Sequence, residues 1–182
     1  MKLTEREEMC LDALNKSGQP DRVLNHCRSI AALSAALGNA LAEKGIPLDL
    51  SLCWRGGLLH DVCRTRRRHA ETGKAYLEEL GLTDEARICE LHSGEDIDPD
   101  IIDEAAVVCL ADKLVSCAEY VGVEERFRYT RERFAHDTEL LKLIDRRHAV
   151  ARALYERVQT IIDAPPESVL KTADKFDKLR LV

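Results

Sequence analysis

Six side chains that can bind a metal ion follow one another in a set order along this chain. They are His26, His60, Asp61, His69, His92 and Asp112. Imidazole and carboxylate groups are good ligands for borderline-hard divalent metals. A carboxylate has two oxygens whereas an imidazole binds through one nitrogen, so Asp61 is suited to bridge two ions while the histidines serve separate ones. Two such ions can hold a hydroxide and neutralise the charge of an attacked phosphoryl group.

The order H…HD…H…H…D resembles the metal-binding signature of the HD-domain metal-dependent phosphohydrolase superfamily, over roughly residues 20–120. The segment 69–73 is similar to the family's His-Pro-x-x-Gly step, with Ala70 in place of proline, and Asp112-Lys113-Leu114 resembles its closing motif. The resemblance implies a cofactor of two divalent transition-metal ions, such as iron or manganese. By that likeness, the first ion is held by His26, His60 and Asp112, the second by His69 and His92, and Asp61 bridges them. If His69 only caps a helix, the site holds one ion.

The residues that follow the adjacent pair His60-Asp61 differ from those in many members of this superfamily. Where they have His-Asp-Ile-Gly-Lys, this chain has the segment 60–64, His-Asp-Val-Cys-Arg. Arg64 keeps the positive charge, but arginine and lysine differ in geometry. The glycine and tyrosine-proline motif of the branch that degrades cyclic-di-GMP is absent, which disfavours that substrate. A likeness to the branch that cleaves dinucleoside polyphosphates is loose.

Basic residues beside the proposed ligands indicate where substrate phosphate would bind. Guanidinium groups match phosphate oxygens well, so Arg64 and Lys113 are the first candidates for phosphate contact and, with Asp61, the predicted catalytic residues. Arg66, Arg67 and Arg68 stand behind them, although charge runs are commonly solvated faces. The segment 124–128 and the pair Arg146-Arg147 are interpreted as exposed helix faces, and His136 and His148 as lying outside the site.

The resemblance implies a metal-dependent phosphohydrolase acting on a nucleotide or a related small phosphate ester or anhydride. A metal-activated hydroxide would be the nucleophile. Two alternatives stay open: a non-catalytic regulatory module that binds nucleotide or metal, and a diiron oxygenase of the same superfamily. The expected partner is a small phosphorylated molecule, with no specific nucleic acid and no membrane; a homo-oligomer is left open.

Composition agrees with a single, all-helical domain. The chain has 182 residues, of which 45% are hydrophobic, 4% aromatic and 33% charged, and its net charge is −6. That charge gives no general attraction to nucleic acid or anionic membrane. The 7 cysteines include no C-x-x-C pair, which argues against a disulfide framework or zinc ribbon. The charged N-terminus lacks an apolar signal core, so we expect a cytoplasmic protein.

The ligands are expected on the helices of a compact, all-α, HD-domain-like bundle without a significant sheet. We predict one domain over residues 1–164, with its motif core at about 20–120, and a tail over 165–182. Thr4 and Glu7 predict a capping box, and Thr83 is expected to cap a later helix. Positions 26, 30, 33, 37 and 41 form one apolar stripe. Further helices are predicted at about 49–63, 69–80, 83–91, 101–119, 123–134 and 137–162. The pair Gly56-Gly57 predicts a close approach by the helix that carries His26.

Overall fold

The computed structural model of the protein describes residues 3–116 and 119–177, and every structural statement here concerns those residues. They form an all-α bundle, as predicted, with one short hairpin. Its helices are α1 (Glu5–Lys16), α2 (Asp21–Glu43), α3 (Leu50–Leu59), α4 (His69–Glu79), α5 (Thr83–Leu91), α6 (Glu104–Leu114), α7 (Val123–Arg133), α8 (Thr138–Ile162) and α9 (Leu170–Ala173). Strands β1 (Val115–Ser116) and β2 (Glu119–Tyr120) pair antiparallel, with Val115 opposite Tyr120.

Local sequence signals set the first helix. The Thr4 hydroxyl accepts a hydrogen bond from the Glu7 backbone N–H, and the Glu7 carboxylate accepts one from the Thr4 N–H, so the predicted capping box is confirmed. These two bonds satisfy N–H groups that the first turn of a helix leaves unpaired. The Thr83 cap is wrong: Thr83 is already the first residue of α5, and Leu82 occupies the cap position with no side-chain bond. The Leu82 carbonyl accepts a hydrogen bond from the Ala86 N–H at 2.9 Å, so the helix begins one residue earlier than it would with Thr83 as its cap.

The central helix α2 buries the predicted stripe. His26, Ile30, Leu33, Leu37 and Leu41 are all buried, at the 3.6-residue spacing of one helix face. Helix α2 packs mainly against α3 and α6. A Cβ added at Gly57 would lie 2.9 Å from the Ala31 Cα and from the Ile30 carbonyl oxygen. The predicted close approach is therefore confirmed, and glycine allows α3 to touch the backbone of α2.

Helix α3 is shorter than predicted. It ends at Leu59 rather than near Cys63, and the chain continues in tight turns with hydrogen bonds from the Val62 N–H to the Leu59 carbonyl and from the Arg64 N–H to the Asp61 carbonyl. The ring of His60 binds the Gly57 carbonyl at 2.8 Å. That carbonyl is the acceptor that a further helical turn would use. The side chain thus competes with the helix and turns the chain toward the site.

Helix α6 is also shorter than the prediction of 101–119. Asp103 caps its start by accepting a hydrogen bond from the Ala106 N–H at 2.9 Å, so the helix begins at Glu104. At the other end Val115 is extended, and the Leu114 carbonyl accepts from the N–H groups of Val121 and Gly122, which begins the hairpin. Residues 117–118, including Cys117, lie outside the described residues. Asp112 is consequently placed in the last turn of α6.

Two apolar clusters form the core. One joins α2 with α6, α7 and α8, and the other joins α2 with α1, α3, α4 and α5 around the fully buried Trp54. The segment 166–176 forms 3-10 turns and α9, lies against α2, and contributes the buried Val169 to the first cluster. Residues 178–182 of the predicted tail lie outside the described residues. No helix in the described part of the chain is long and apolar enough to cross a bilayer.

Candidate metal centre

Five helices bring the six predicted ligands together. His26 lies on α2, His60 and Asp61 follow the last residue of α3, His69 begins α4, His92 follows α5, and Asp112 lies on α6. The four imidazoles form a row in the order 26, 60, 92 and 69, with neighbouring ring centroids 5.2–5.3 Å apart. Five of the six residues are almost completely buried, and His69 is partly exposed.

The first group of possible ligands lies on the α2 side. The Nε2 atoms of His26 and His60 lie 3.0 and 3.6 Å from the Asp112 Oδ1. His60 Nε2 lies 3.7 Å from the Asp61 Oδ2. Ligand atoms of His26, His60 and Asp61 all fall within 4.8 Å of one another, close enough to share one ion.

The second group lies on the α4 side and uses the other oxygen of Asp61. The Nε2 atoms of His69 and His92 each lie 3.4 Å from the Asp61 Oδ1 and 3.3 Å from each other. These three residues also have ligand atoms within 4.8 Å of one another. Asp61 is thus common to both groups, with Oδ2 near His60 and Oδ1 near the other pair.

Backbone carbonyls orient two of the imidazoles. His60 donates from Nδ1 to the Gly57 carbonyl at 2.8 Å, and His92 donates from Nδ1 to the Cys89 carbonyl at 2.5 Å. A histidine that donates through Nδ1 keeps its Nε2 lone pair for a metal. Within the described chain, His60 Nε2 and Asp61 Oδ1 are buried with no hydrogen-bond partner. Buried polar atoms without partners are rare, and these two point into the ligand cluster, so the site fits a bound cation.

The electrostatic environment keeps the two carboxylates ionised and His69 neutral. Burial opposes the charged form of His60, but the neighbouring Asp61 and Asp112 outweigh it and raise the pKa of His60. Burial alone would raise the pKa of Asp61, but the charge of His60 and the nearby ring of His92 outweigh it and hold that pKa well below its usual range. Burial opposes ionisation of Asp112 as well, yet the Lys113 charge, the hydrogen bond from His26 and the nearby ring of His60 lower its pKa. Burial and the charge of His92 lower the pKa of His69 to about 4. At neutral pH both carboxylates are therefore ionised and His69 is neutral.

The two predicted phosphate-binding cations lie at the ligand cluster. Arg64 places its Nε 3.4 Å from the Asp61 Oδ2. Lys113 donates from Nζ to the Asp112 Oδ2 at 2.6 Å and to the His92 carbonyl at 3.2 Å. Lys113 is nearly buried, whereas the Arg64 side chain is 46% exposed. Lys113 therefore holds Asp112 in position, and Arg64 has more freedom to meet a ligand.

A cavity of about 470 Å³ opens beside both ligand groups. Arg64 and Lys113 line it, but Arg66, Arg67 and Arg68 are not among the described residues that do. Arg66 lines a separate groove with Cys63, and Arg68 forms an ion pair with Glu71 at 3.0 Å.

Sequence reasoning missed three arginines that line this cavity, Arg126, Arg133 and Arg147. Interpreting the 124–128 segment and Arg147 simply as exposed faces was therefore wrong for Arg126 and Arg147. Arg126, Thr130 and Arg133 share one face of α7 by their spacing, a signal available in the sequence. The sequence does not show, however, which other part of the protein this face of α7 meets. His148, predicted to lie outside the site and to be either structural or solvent-exposed, is buried against Phe127, with ring centroids 4.7 Å apart.

The comparison with protein families agrees with this geometry. The sequence matches the HD domain family over residues 23–116, just over half of the chain and including all six residues of the ligand cluster. The protein therefore belongs to the HD-domain family. Membership supports a metal-dependent, hydrolase-type enzyme, and the clustered histidines and aspartates fit divalent metal binding.

Three curated relatives share part of the sequence. A tRNA (cytidine(56)-2'-O)-methyltransferase of Thermoplasma volcanium is 35% identical over 101 residues, which are 53% of this chain and 28% of the relative. The protein of the same name from Picrophilus torridus is 26% identical, over 74% of this chain and 43% of its own. An uncharacterized protein of Methanocaldococcus jannaschii is 28% identical over 142 residues, 68% of this chain and 84% of the relative.

The chain thus spans less than half the length of either methyltransferase that it matches. The methyltransferase name describes those longer proteins and identifies no activity here. No solved structure matches the sequence.

Proposed function

We propose that this protein hydrolyses a phosphate ester or anhydride at a centre of two divalent transition-metal ions, with a nucleotide or related small phosphate as substrate. One observation carries the proposal: the two oxygens of Asp61 face two separate groups of histidines, at 3.7 Å from His60 and at 3.4 Å from His69 and His92. A carboxylate shared in this way suits a site with two metal ions, of the kind that enzymes use in phosphoryl transfer.

In this scheme His26, His60 and Asp112 would hold one ion, His69 and His92 would hold the other, and Asp61 would be a ligand that the two share. When bound, the ions would lower the pKa of a water molecule to give a hydroxide nucleophile and would neutralise charge on the phosphoryl group. Because this chemistry needs no nucleophilic side chain, the protein has to position the ligands and the substrate.

Two cations and two carbonyls carry out that positioning. Lys113 neutralises the charge of Asp112 and also donates a hydrogen bond to the His92 carbonyl. These two contacts fix the position of α6 relative to the end of α5. The Gly57 and Cys89 carbonyls fix the rings of His60 and His92. Arg64, exposed at the cavity and close to Asp61, would bind a phosphate oxygen and stabilise the charge that develops there.

The first test is metal content together with turnover. Protein purified without oxygen, chelators or a histidine tag would be analysed by elemental mass spectrometry and then assayed for phosphate release from nucleotides and simple phosphate esters. We expect about two transition-metal ions per chain and phosphate release that a chelator abolishes. Oxygen consumption by a diiron centre without phosphate release would replace hydrolysis with oxygenase chemistry. A chain that takes up no metal on reconstitution would favour a non-catalytic module.

A matched pair of histidine variants localises the effect. His69→Ala removes a member of the second group, whereas His136→Ala changes an exposed residue outside both groups. Only the first is expected to lower metal content and turnover. Equal losses in the two variants would contradict the assignment.

A further inference from the structure

The cavity beside the ligand cluster carries more positive charge than a single phosphate requires. Five cationic side chains line it, namely Arg64, Lys113, Arg126, Arg133 and Arg147. Of the described lining residues, the carboxylates are Asp61 and Asp112, which both belong to the ligand cluster. Glu95 offsets part of the Arg147 charge from outside the lining, by accepting from its Nε at 2.8 Å. A surplus of cations in a concave site attracts a ligand with several negative charges.

Arg126 is the cation best placed to extend the site. Its Nη2 lies 4.0 Å from the Asp112 Oδ1, so the guanidinium stands at the edge of the ligand cluster. Its Nε is buried and has no hydrogen-bond partner in the described chain, although the side chain as a whole is 28% exposed. A buried guanidinium N–H without a partner is a donor available to an anionic oxygen. Arg64 reaches the cluster from the α3–α4 connection, whereas Arg126 reaches it from α7.

One part of the remaining cavity wall is apolar, and another part carries the hydroxyl groups of Ser93, Ser116, Tyr129 and Thr130. Phe127 and Ile144 are buried, and Phe134 and Leu140 are partly buried, all on or beside α7 and α8. A nucleoside attached to a phosphate chain suits both parts of this wall, because its planar base would bury surface against the apolar side chains and its sugar hydroxyls would find polar partners among the hydroxyl groups.

We infer that the substrate carries at least two linked phosphoryl groups on a body with a planar ring, as nucleoside diphosphates and triphosphates do, and that Arg126 binds the phosphoryl group next to the one attacked. The inference rests on the proposed function and narrows its substrate class. In the reaction, the oxygen of water bonds to phosphorus and the P–O bond to the neighbouring phosphate breaks. The electron pair stays on that leaving phosphate, and the proton released by the water passes to solvent.

The test compares two arginines of the same helix. Arg126→Gln removes the proposed contact, and Arg128→Gln is the matched control, because Arg128 is half exposed, pairs with Glu125 and Glu132, and lies outside the cavity lining. Binding of AMP and of the non-hydrolysable α,β-methylene analogue of ADP to the metal-loaded protein would be measured by calorimetry. Arg126→Lys, which keeps the charge but loses the planar fork, is the conservative variant.

For Arg126→Gln we expect the Kd of the ADP analogue to rise about 10-fold or more, the effect of losing a hydrogen bond to a charged group. The Kd of AMP should change less than about 3-fold, Arg126→Lys should lie between wild type and Arg126→Gln, and Arg128→Gln should match wild type. Equal losses for the two ligands, or no loss for the ADP analogue, would overturn the inference. Unchanged metal content and circular dichroism would establish that each variant is folded.

The binding readout separates this inference from the hydrolase proposal. If the ADP analogue binds with the expected pattern while no phosphate is released from any substrate, the inference stands and the hydrolase proposal fails. If p-nitrophenyl phosphate is hydrolysed but the diphosphate analogue binds no more tightly than AMP, the hydrolase proposal stands and the inference fails.

Discussion

The contact between Gly57 and α2 sets the distance between two parts of the ligand cluster, and Gly57→Ala tests it. Helix α3 delivers His60 and Asp61, and α2 carries His26. The added Cβ would lie 2.9 Å from the Ala31 Cα and the Ile30 carbonyl oxygen. Backbone atoms cannot rotate away as a side chain can, so α3 and α2 must move apart. The substitution should therefore lower both stability and metal binding.

The expected magnitude follows from two opposing effects. Alanine is favoured over glycine inside a helix by about 1 kcal/mol. Overpacking a filled core costs about 1–3 kcal/mol, and a clash with backbone belongs at the upper end. We therefore expect a net loss of about 2 kcal/mol in the free energy of unfolding. For a domain of this size, that loss lowers Tm by about 4–8 °C.

The adjacent Gly56→Ala is the matched control. It brings the same helix propensity, but the atoms that its Cβ would meet closely belong to one side chain, the Ile88 Cδ1 at 2.6 Å and Cγ2 at 3.0 Å, and not to backbone. A torsion of Ile88 can turn away from its preferred rotamer at a cost of about 1 kcal/mol, which the propensity gain offsets. Chemical denaturation and elemental analysis of the two variants give both readouts. Wild-type stability and full metal content in Gly57→Ala would refute the argument that this contact positions the ligands.

Three further predictions concern the cluster and the core. Asp61→Asn removes the shared carboxylate charge, so the metal content measured by elemental mass spectrometry should fall and phosphate release should vanish. A variant that still releases phosphate would contradict the two-ion scheme. His69→Ala should leave about one ion per chain, and retention of both would remove His69 from the ligand set. Glu85 is fully buried and accepts hydrogen bonds from Arg6 and Arg55, so Glu85→Gln should cost about 3 kcal/mol in urea unfolding at pH 7. Burial raises the pKa of Glu85, but the two arginines outweigh it and lower that pKa. The wild-type advantage is therefore full above the unfolded-state pKa of about 4.3 and should shrink as pH falls below it; a difference independent of pH would contradict this.

Most of the helices could be predicted because their signals are local. The capping box of Thr4 and Glu7 and the stripe from His26 to Leu41 each depend on residues three or four positions apart. Helix ends were less predictable where a side chain competes with the backbone. The His60 ring takes the Gly57 carbonyl and ends α3 early, and no spacing rule reveals that competition.

The order of six ligand-type residues along the chain was enough to nominate a metal site. Their spacing alone does not show how they group, and the grouping implied by the family resemblance stays a prediction. The tertiary structure adds which oxygen of Asp61 faces which histidine. The position of Arg126 also depends on the tertiary structure, because the sequence around it is typical of a solvent-exposed helix face. It reaches the edge of the ligand cluster only because α7 packs against α6 and brings it within 4.0 Å of Asp112. Periodicity and capping are decided within one or two turns of a helix, whereas a meeting between distant segments is decided by how the whole core packs.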